Sequence, residues 1–415
     1  MAERHRVYRL LALSTPVIPR YSLMVLILGA LACIGPMSID AYLPAFGAIS
    51  RNFELPPEQI QLTLGLYMLA FAFMTLLHGT LSDSFGRRRV ILASLGVYTL
   101  GSIVASLAPS FEWLLVGRIG QGLSAGAGMV VGQAIVTDCY KGSVAQKTMS
   151  YIIMVFSVSP AFAPIIGGYL SEHAGWRAVF AFLAALAVFS ATLCALFLPE
   201  TLPVERRQPF NVRVLTHNYG RVMRDGQFMA RAVVFGSLFG GFAFLIGAAP
   251  DFVTQVLQLP ETAFGYLFIP IVIGLTSGSF LAARLSSSLS SGRLIGYAYA
   301  MLGLSCILNL AYTGLTSDLN VILAVLPHGL FVFGLSLGIP TMTLRILQRV
   351  PELSGTAASV LGFVQMIFFS IVSGWLAPFV YGSAFKLAVA LTIGVVVSGL
   401  GWALVGRFSI KETLT

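Results

Sequence analysis

Long apolar runs, separated by short polar interruptions, dominate this chain, and twelve of them are long enough to cross a bilayer. About 30 Å of hydrocarbon takes roughly 20 helical residues. The runs are Ser22 to Phe46, Ile60 to His78, Val90 to Ala108, Phe111 to Val136, Met149 to Leu170 and Ala178 to Leu198, then Val233 to Val253, Ala263 to Ala283, Leu294 to Tyr312, Leu319 to Leu344, Gly355 to Phe379 and Phe385 to Val405. Lipid offers backbone N–H and C=O groups no partner, so a spanning run must be helical or belong to a closed barrel. These runs are too long and too weakly alternating for barrel strands. With 57% apolar and only 10% charged residues, a soluble globular domain is excluded. The fold class is an all-α polytopic membrane protein of twelve transmembrane helices.

The net charge of +9 does not point to nucleic acid, because the basic residues are spread over loops rather than gathered on one domain. Arg4, Arg6, Arg9 and Arg20 precede the first run, and Arg87 to Arg89, Lys141, Lys147, the basic stretch from Arg206 to Arg231, Arg284, Arg293, Arg345, Arg349, Arg407 and Lys411 fall on that same side. The other side holds Arg51, Arg177 and Lys386. By the positive-inside rule both termini and the long middle segment are cytoplasmic. The first run is too long for a signal-peptide core and no small-residue cleavage site follows it, so it is expected to be retained. Cys33, Cys139, Cys194 and Cys306 are isolated and imply neither a metal site nor a disulfide framework.

Between runs six and seven lies a basic, proline-punctuated stretch, Pro199 to Phe228, whose middle (Val212 to Met223) suits an amphipathic helix on anionic lipid. It divides the chain into a cytoplasmic segment 1–21, a six-helix bundle 22–198, a linker 199–228, a second six-helix bundle 229–408 and a tail 409–415. Two internal echoes support two related halves. Pro44 with FELPPEQ after the first run matches Pro250 with LQLPETA after the seventh. Gly278, Arg284, Gly292 and Arg293 repeat, without the acid, the pattern of GTLSDSFGRRRV between runs two and three.

GTLSDSFGRRRV, from Gly79 to Val90, sets Asp83 and Arg87, Arg88 and Arg89 between two spans. An ion pair there can latch and release two helices, and Gly79 and Gly86 suit a tight reversal, with positive φ expected at Gly86. Arg88 and Arg89 read as topology determinants. GTLSDSFGRRR resembles the cytoplasmic loop motif of the major facilitator superfamily, and RIGQG (Arg118 to Gly122) its fourth-helix motif. SPAFAPIIGG (Ser159 to Gly168) resembles the antiporter motif of the fifth helix, with Ala163 where glycine is usual. SIDAYLPAF (Ser38 to Phe46) narrows the resemblance to the Bcr/CflA branch of drug:proton antiporters. The resemblance covers nearly the whole chain and implies two pseudo-symmetric six-helix bundles around a central cavity. It also implies that Asp83, Arg87 and Asp138 form one charge cluster that closes an inner gate.

Asp40 is the first candidate for chemistry. A carboxylate within a span costs a few kcal/mol if left charged and unpaired, so it should face the bundle interior or a watered cavity. It reads either as a proton or cation handler or as a fixed interhelical contact. Arg118 lies roughly 10 Å below the outer boundary at ~1.5 Å per residue, a depth at which it could meet Asp40. The resemblance sets their helices side by side, with Gln121 one turn from Arg118. Arg118 then either tunes Asp40 and holds a substrate acceptor, or forms a static buried pair. Pro160, Pro164, Gly167 and Gly168 read either as a bend and close-packing surface by which the fifth span seals against a neighbour, or as a packing face with no moving role; in the opposite half the partner by symmetry is the eleventh span. Phe235, Phe239 and Phe242 form an aromatic stripe that suits planar or cationic compounds, or packs as ordinary core. Tyr67, Met129 and Gln365 are further candidates for the cavity lining, whereas the lone His328 reads as a packing residue.

The resemblance to the Bcr/CflA branch implies a monomeric exporter in the bacterial inner membrane that moves amphipathic drug-like compounds outward against proton entry. Its partners are the small-molecule substrate, protons and membrane lipid. The chain has no phosphate-binding G-x-x-x-x-G-K-[ST] loop and no metal-ligand cluster, so no cofactor is expected beyond a proton gradient. The alternative on the same fold is export or uptake of a metabolite such as an amino acid or sugar.

Overall fold

A computed structural model describes residues 20–286, 288–316 and 318–412. Arg4, Arg6 and Arg9, and the end of the tail, lie outside the described residues. Among the described residues, twelve helices are long and apolar enough to span a membrane. In chain order they are α1 (Tyr21–Phe53), α2 (Pro57–Phe85), α3 (Arg87–Ser106), α4 (Phe111–Cys139), α5 (Gly142–Ala174) and α6 (Trp176–Phe197). After the linker helix α7 (Val212–Arg224) come α8 (Gly226–Val256), α9 (Glu261–Leu285), α10 (Ser291–Leu315), α11 (Val321–Leu347), α12 (Pro351–Val380) and α13 (Ala384–Val405). Most helices run past the apolar runs that announced them. The backbone ladder continues into the polar interface, where hydropathy no longer marks it. Thus α5 holds 33 residues where the apolar run ended at Met149 and Leu170.

The first six spans pack chiefly on one another, α3 against α4 and α6, α1 against α5 and α2 against α4. The last six do likewise, α9 and α10 against α11 and α8 against α13. The bundles meet along α2 with α12 and α5 with α9. Small residues set these distances: a Cβ on Gly122 would lie 2.2 Å from the Tyr67 carbonyl oxygen, so α4 sits directly on the backbone of α2.

Among the described residues four spans are locally broken, α4 only at Gly126, which separates Ala125 from Ala127. In α1 the α-helix stops at Asp40 and resumes at Phe46, with a short 3-10 turn at Leu43–Ala45 between. Pro44 explains this, because it lacks the N–H that would bond the Asp40 carbonyl. Pro250 precedes a π-helical turn, Phe252–Val256, at the end of α8, and a second π turn, Val372–Leu376, interrupts α12. The proline-linked breaks near the ends of α1 and α8, one in each bundle, echo each other.

The segment read as a loop from Gly79 to Val90 is almost wholly helical. Gly79 and Asp83 belong to α2, Arg87, Arg88 and Arg89 form the first turn of α3, and Gly86 alone joins them. Its φ of 98° and ψ of 151° need glycine. Gly79 takes no part in the reversal. The linker helix α7 is N-capped by the Asn211 side chain, which accepts from Arg213 N and Val214 N. It carries Arg213, Arg221 and Arg224, exposes Val212, Val214 and Met223, and is tied to α2 by a hydrogen bond from the Tyr219 hydroxyl to the Leu76 carbonyl. Burial pushes the Tyr219 phenol above its ordinary value, so this donor stays protonated at neutral pH.

Candidate functional site

The break in α1 turns Asp40 and Tyr42 toward α2 and α4, and Arg118 on α4 is the hub of what gathers there. Its side chain is fully buried. The guanidinium lies between two rings, its central carbon 4.6 Å from the Tyr42 centroid and 4.2 Å from that of Tyr67, and each aromatic face offsets part of the cost of burying a cation. Nη1 donates to the Ser38 carbonyl (3.1 Å), to Ser38 Oγ (3.3 Å) and to Gln121 Oε1 (2.7 Å). Gln121 Nε2 in turn donates to Ser102 Oγ at 2.8 Å, and Ser102 to the Tyr98 carbonyl. Tyr42 shares a 2.5 Å hydrogen bond with Thr63.

The polar capacity of this cluster is not exhausted. Arg118 Nε and Nη2, and the hydroxyls of Tyr67 and Tyr98, are buried without a partner among the described residues. Unpaired donors in a buried site are costly unless something fills them part of the time. Asp40 is 6% exposed and makes no hydrogen bond or ion pair among the described residues. The close meeting of Asp40 with Arg118 that their depths suggested is therefore absent here. Arg118 spends its charge on a backbone carbonyl, an amide and two rings, and Asp40 is left without a fixed cation. Ser38, Tyr42 and Ser102 are contributors that sequence reasoning missed, although Ser38 and Tyr42 stand within the SIDAYLPAF stretch.

The residues suggested for a pocket are distributed unevenly. Tyr67 joins the Arg118 cluster. Met129 and Gln365 are half-buried. Phe235 is fully buried and packs edge-on against Phe239 at 5.6 Å, so it is core in this conformation. Phe239 and Phe242 are half-buried, Phe242 lying against Phe369 on α12.

At the Gly86 end of the bundle a second cluster forms. Arg87, 7% exposed, donates from Nη1 to Asp83 Oδ1 (2.5 Å) and Ser82 Oγ (2.7 Å), and from Nε to Asp138 Oδ2 (3.0 Å). All of these residues belong to the first bundle. The linker completes the cluster, which sequence reasoning missed. Glu200 Oε1 accepts from Arg87 N (2.8 Å) and Leu202 N (3.1 Å), its Oε2 lies 3.8 Å from Arg207 Nη2, and Thr201 donates to Asp138. A Cβ on Gly86 would strike Glu200 Oε2 at 2.4 Å, so glycine is needed there both for its φ and for this contact. The clue in the sequence was an acid between prolines directly after a span, facing a basic turn.

The opposite ends of the bundles are locked together. Gln61 Nε2 donates to the Ser373 carbonyl (2.5 Å), Tyr381 to Gln61 Oε1 (2.9 Å) and Ser370 to the Gly65 carbonyl (2.8 Å). A Cβ on Gly65 would fall 2.7 Å from Gly374 Cα, so α2 and α12 touch backbone to backbone. Glu261 of α9 accepts from Ser171 (3.0 Å) and pairs with Arg51 (3.2 Å). Gly167 and Gly168 occupy this seam: a Cβ would fall 1.8 Å from the Ala41 carbonyl oxygen at Gly167 and 2.4 Å from that of Glu261 at Gly168. The partner of this part of α5 across the interface is thus the start of α9, with the unwound part of α1 beside it, and not the eleventh span; α12 pairs with α2 instead. Pro160 and Pro164 lie within α5 without interrupting the helix.

The Major Facilitator Superfamily model matches residues 28–373. An uncharacterized MFS-type transporter, YdgK of Bacillus subtilis, is 29% identical over 84% of this chain and 86% of its own. A bicyclomycin resistance protein homolog of Haemophilus influenzae is 27% identical over 94% and 98%, and multidrug resistance protein D of Escherichia coli 27% identical over 83% and 86%. These relatives agree with the resemblance to the Bcr/CflA branch. Among solved structures, a bacterial homolog to the human lysosomal transporter Spinster, inward-facing and unoccupied, superposes with a TM-score of 0.74 at 18% identity over 95% of this chain and 98% of that one. The fold, the helix count and the extent of the family match converge: the chain is a multi-pass membrane transporter that belongs to the Major Facilitator Superfamily.

Proposed function

We propose that this transporter exports amphipathic, drug-like compounds across the bacterial inner membrane in exchange for protons, by alternating access and as a monomer. The observation that carries the reading is Asp40, a buried carboxyl inside a span with no fixed cation, beside a fully buried arginine whose Nε and Nη2 are unpartnered. A carboxyl so placed can take a proton or hold a substrate cation, but not both at once. Arg118 offers the empty donors to a substrate carbonyl or hydroxyl. The relatives' names, bicyclomycin resistance and multidrug transporters, support this substrate class.

In the cycle, substrate enters from the cytoplasmic side, which is open when the seam at Gly65, Gly374 and Glu261 is shut. The reverse state lets a proton reach Asp40 from outside and displace the compound. The proton gradient is the energy source, with no nucleotide, metal or organic cofactor. The charge asymmetry supports placing both termini on the cytoplasmic side. Proteoliposomes with an imposed pH gradient test this. Wild type should accumulate a chloramphenicol-type or cationic compound and release protons in step, and Asp40→Asn should abolish the coupling. Gradient-driven export by Asp40→Asn would overturn the mechanism, and competition by polar metabolites rather than by drugs would overturn the substrate class.

A further inference from the structure

A second cavity lies outside the Arg118 site. It opens between the Gly86 ends of α2 and α3 and is roofed by α4, with a volume of about 540 Å³, within the roughly 300–1,000 Å³ range of small-molecule sites. Met74, Leu81, Phe85, Val97 and Leu123 line it. Phe85, Val97 and Leu123 are 51%, 43% and 39% exposed, so the crevice opens sideways, toward lipid. Four polar residues, His78, Arg89, Ser94 and Ser124, break this apolar lining, and the first two stand out. His78 is 1% exposed, and neither ring nitrogen makes a well-formed hydrogen bond among the described residues, although the ring approaches the Leu123 backbone. Arg89 stands at the mouth, exposed, and forms no ion pair or hydrogen bond among the described residues.

We propose that this crevice binds an anionic phospholipid of the adjoining leaflet. The headgroup phosphate meets Arg89, an acyl chain fills the apolar slot, and an ester carbonyl accepts from the His78 ring N–H. The depths suit such a ligand. His78 lies two turns before Phe85, about 10 Å into the membrane at ~1.5 Å per residue, below a guanidinium at the helix end where headgroups lie. A histidine buried with both nitrogens unpaired is a costly arrangement in lipid, and a ligand carbonyl that accepts from its one N–H removes the donor's share of that cost. Arg88 on the neighbouring position donates to the Ala195 carbonyl, so of the two arginines beside Arg87 it is Arg89 that is free to serve a ligand. The site is distinct from the transport site: the Arg118 cluster faces α1 and α2 across the bundle, whereas the crevice faces outward.

Native mass spectrometry of the whole protein, titrated with phosphatidylglycerol or phosphatidylcholine, provides the test, with wild type compared to Arg89→Gln, His78→Phe and Ala93→Trp. Arg89→Gln removes a surface charge without touching the core, and Ala93→Trp fills the crevice from its exposed rim. Wild type should bind one phosphatidylglycerol more tightly than any phosphatidylcholine. Arg89→Gln should weaken that lipid by about fivefold, the factor expected of one basic side chain near a membrane surface, and Ala93→Trp should expel it. His78→Phe should weaken it while Arg89 still distinguishes the two headgroups. Equal binding of the two lipids overturns the proposal, as does full retention by Ala93→Trp, which would reduce the contact to a headgroup on the surface. Displacement of the lipid by a transported drug would make the crevice a substrate entrance instead.

Discussion

Arg118 meets most of the demands a membrane interior makes of a cation, leaving Nε and Nη2 open. It is fully buried, stacked between two tyrosines and hydrogen-bonded to one backbone carbonyl and one amide. A lysine at this position would keep the charge, but an ammonium group cannot stack flat between two rings while donating in the guanidinium plane. Arg118→Lys should therefore fold and lose at least about tenfold in gradient-driven transport, roughly the loss of one charge-assisted hydrogen bond. Transport at the wild-type rate would remove Arg118 from the site. The ion pair between Arg51 and Glu261 behaves differently. The Arg51 side chain is 74% exposed, so Arg51→Ala should cost no more than about 1 kcal/mol of stability. Glu261, only 17% exposed, also accepts from Ser171, and Glu261→Ala should destabilise the shut outer seam clearly more. Thermal unfolding of the two variants side by side decides between them.

Among the elements, the joint between α2 and α3 shows what sequence reading reaches and where it stops. Asp83, Arg87 and Asp138 were legible because charges at the ends of apolar runs are rare and conspicuous. The need for glycine at Gly86 was legible as well, through the positive φ that a tight reversal demands. What stayed hidden was that Gly86 alone makes the turn, since hydropathy cannot see a helix that continues in polar dress. Glu200 was hidden for another reason: its partner is 113 positions away in the chain, and no local pattern connects them. Replacing Glu200 with leucine leaves the Arg87 backbone N–H without an acceptor, which should lower stability by about 1–3 kcal/mol, read as a drop in unfolding midpoint. Within the charge cluster, Asp138 is the more enclosed carboxylate, 22% exposed against 46% for Asp83. Asp138→Asn should slow transport more than Asp83→Asn, with substrate binding still measurable in both. Loss of binding in either would tie this end of the bundle directly to the transport site.

For the whole molecule, the pairing of spans across the bundles was the least legible feature, because the small residues of α5 mark a close contact without saying with what. Gly167 and Gly168 specify only that backbone must approach, and several helices could supply it; the fold chose Ala41 and the start of α9. Likewise the aromatic stripe of α8 announced a packed face but not whether it meets protein or cargo. The contact of Gly65 with Gly374 makes the strongest prediction at this scale. Gly65→Leu should prevent the outer seam from shutting, so a cysteine introduced near Ser373 should become open to a water-soluble thiol reagent applied from outside, and transport should stop. Protection equal to that of the parent would show that the seam does not depend on this approach. The position of that contact has a mechanical consequence. Gly65 lies about 12 Å from the outer end of α2 and about 30 Å from its inner end at ~1.5 Å per residue. If it serves as a fulcrum, the lever has unequal arms: a tilt of about 10° carries the outer tip some 2 Å and the inner tip some 5 Å, lengths set by the same helical rise. Slight play between two glycines is thereby magnified into a passage wide enough for a molecule at the far side.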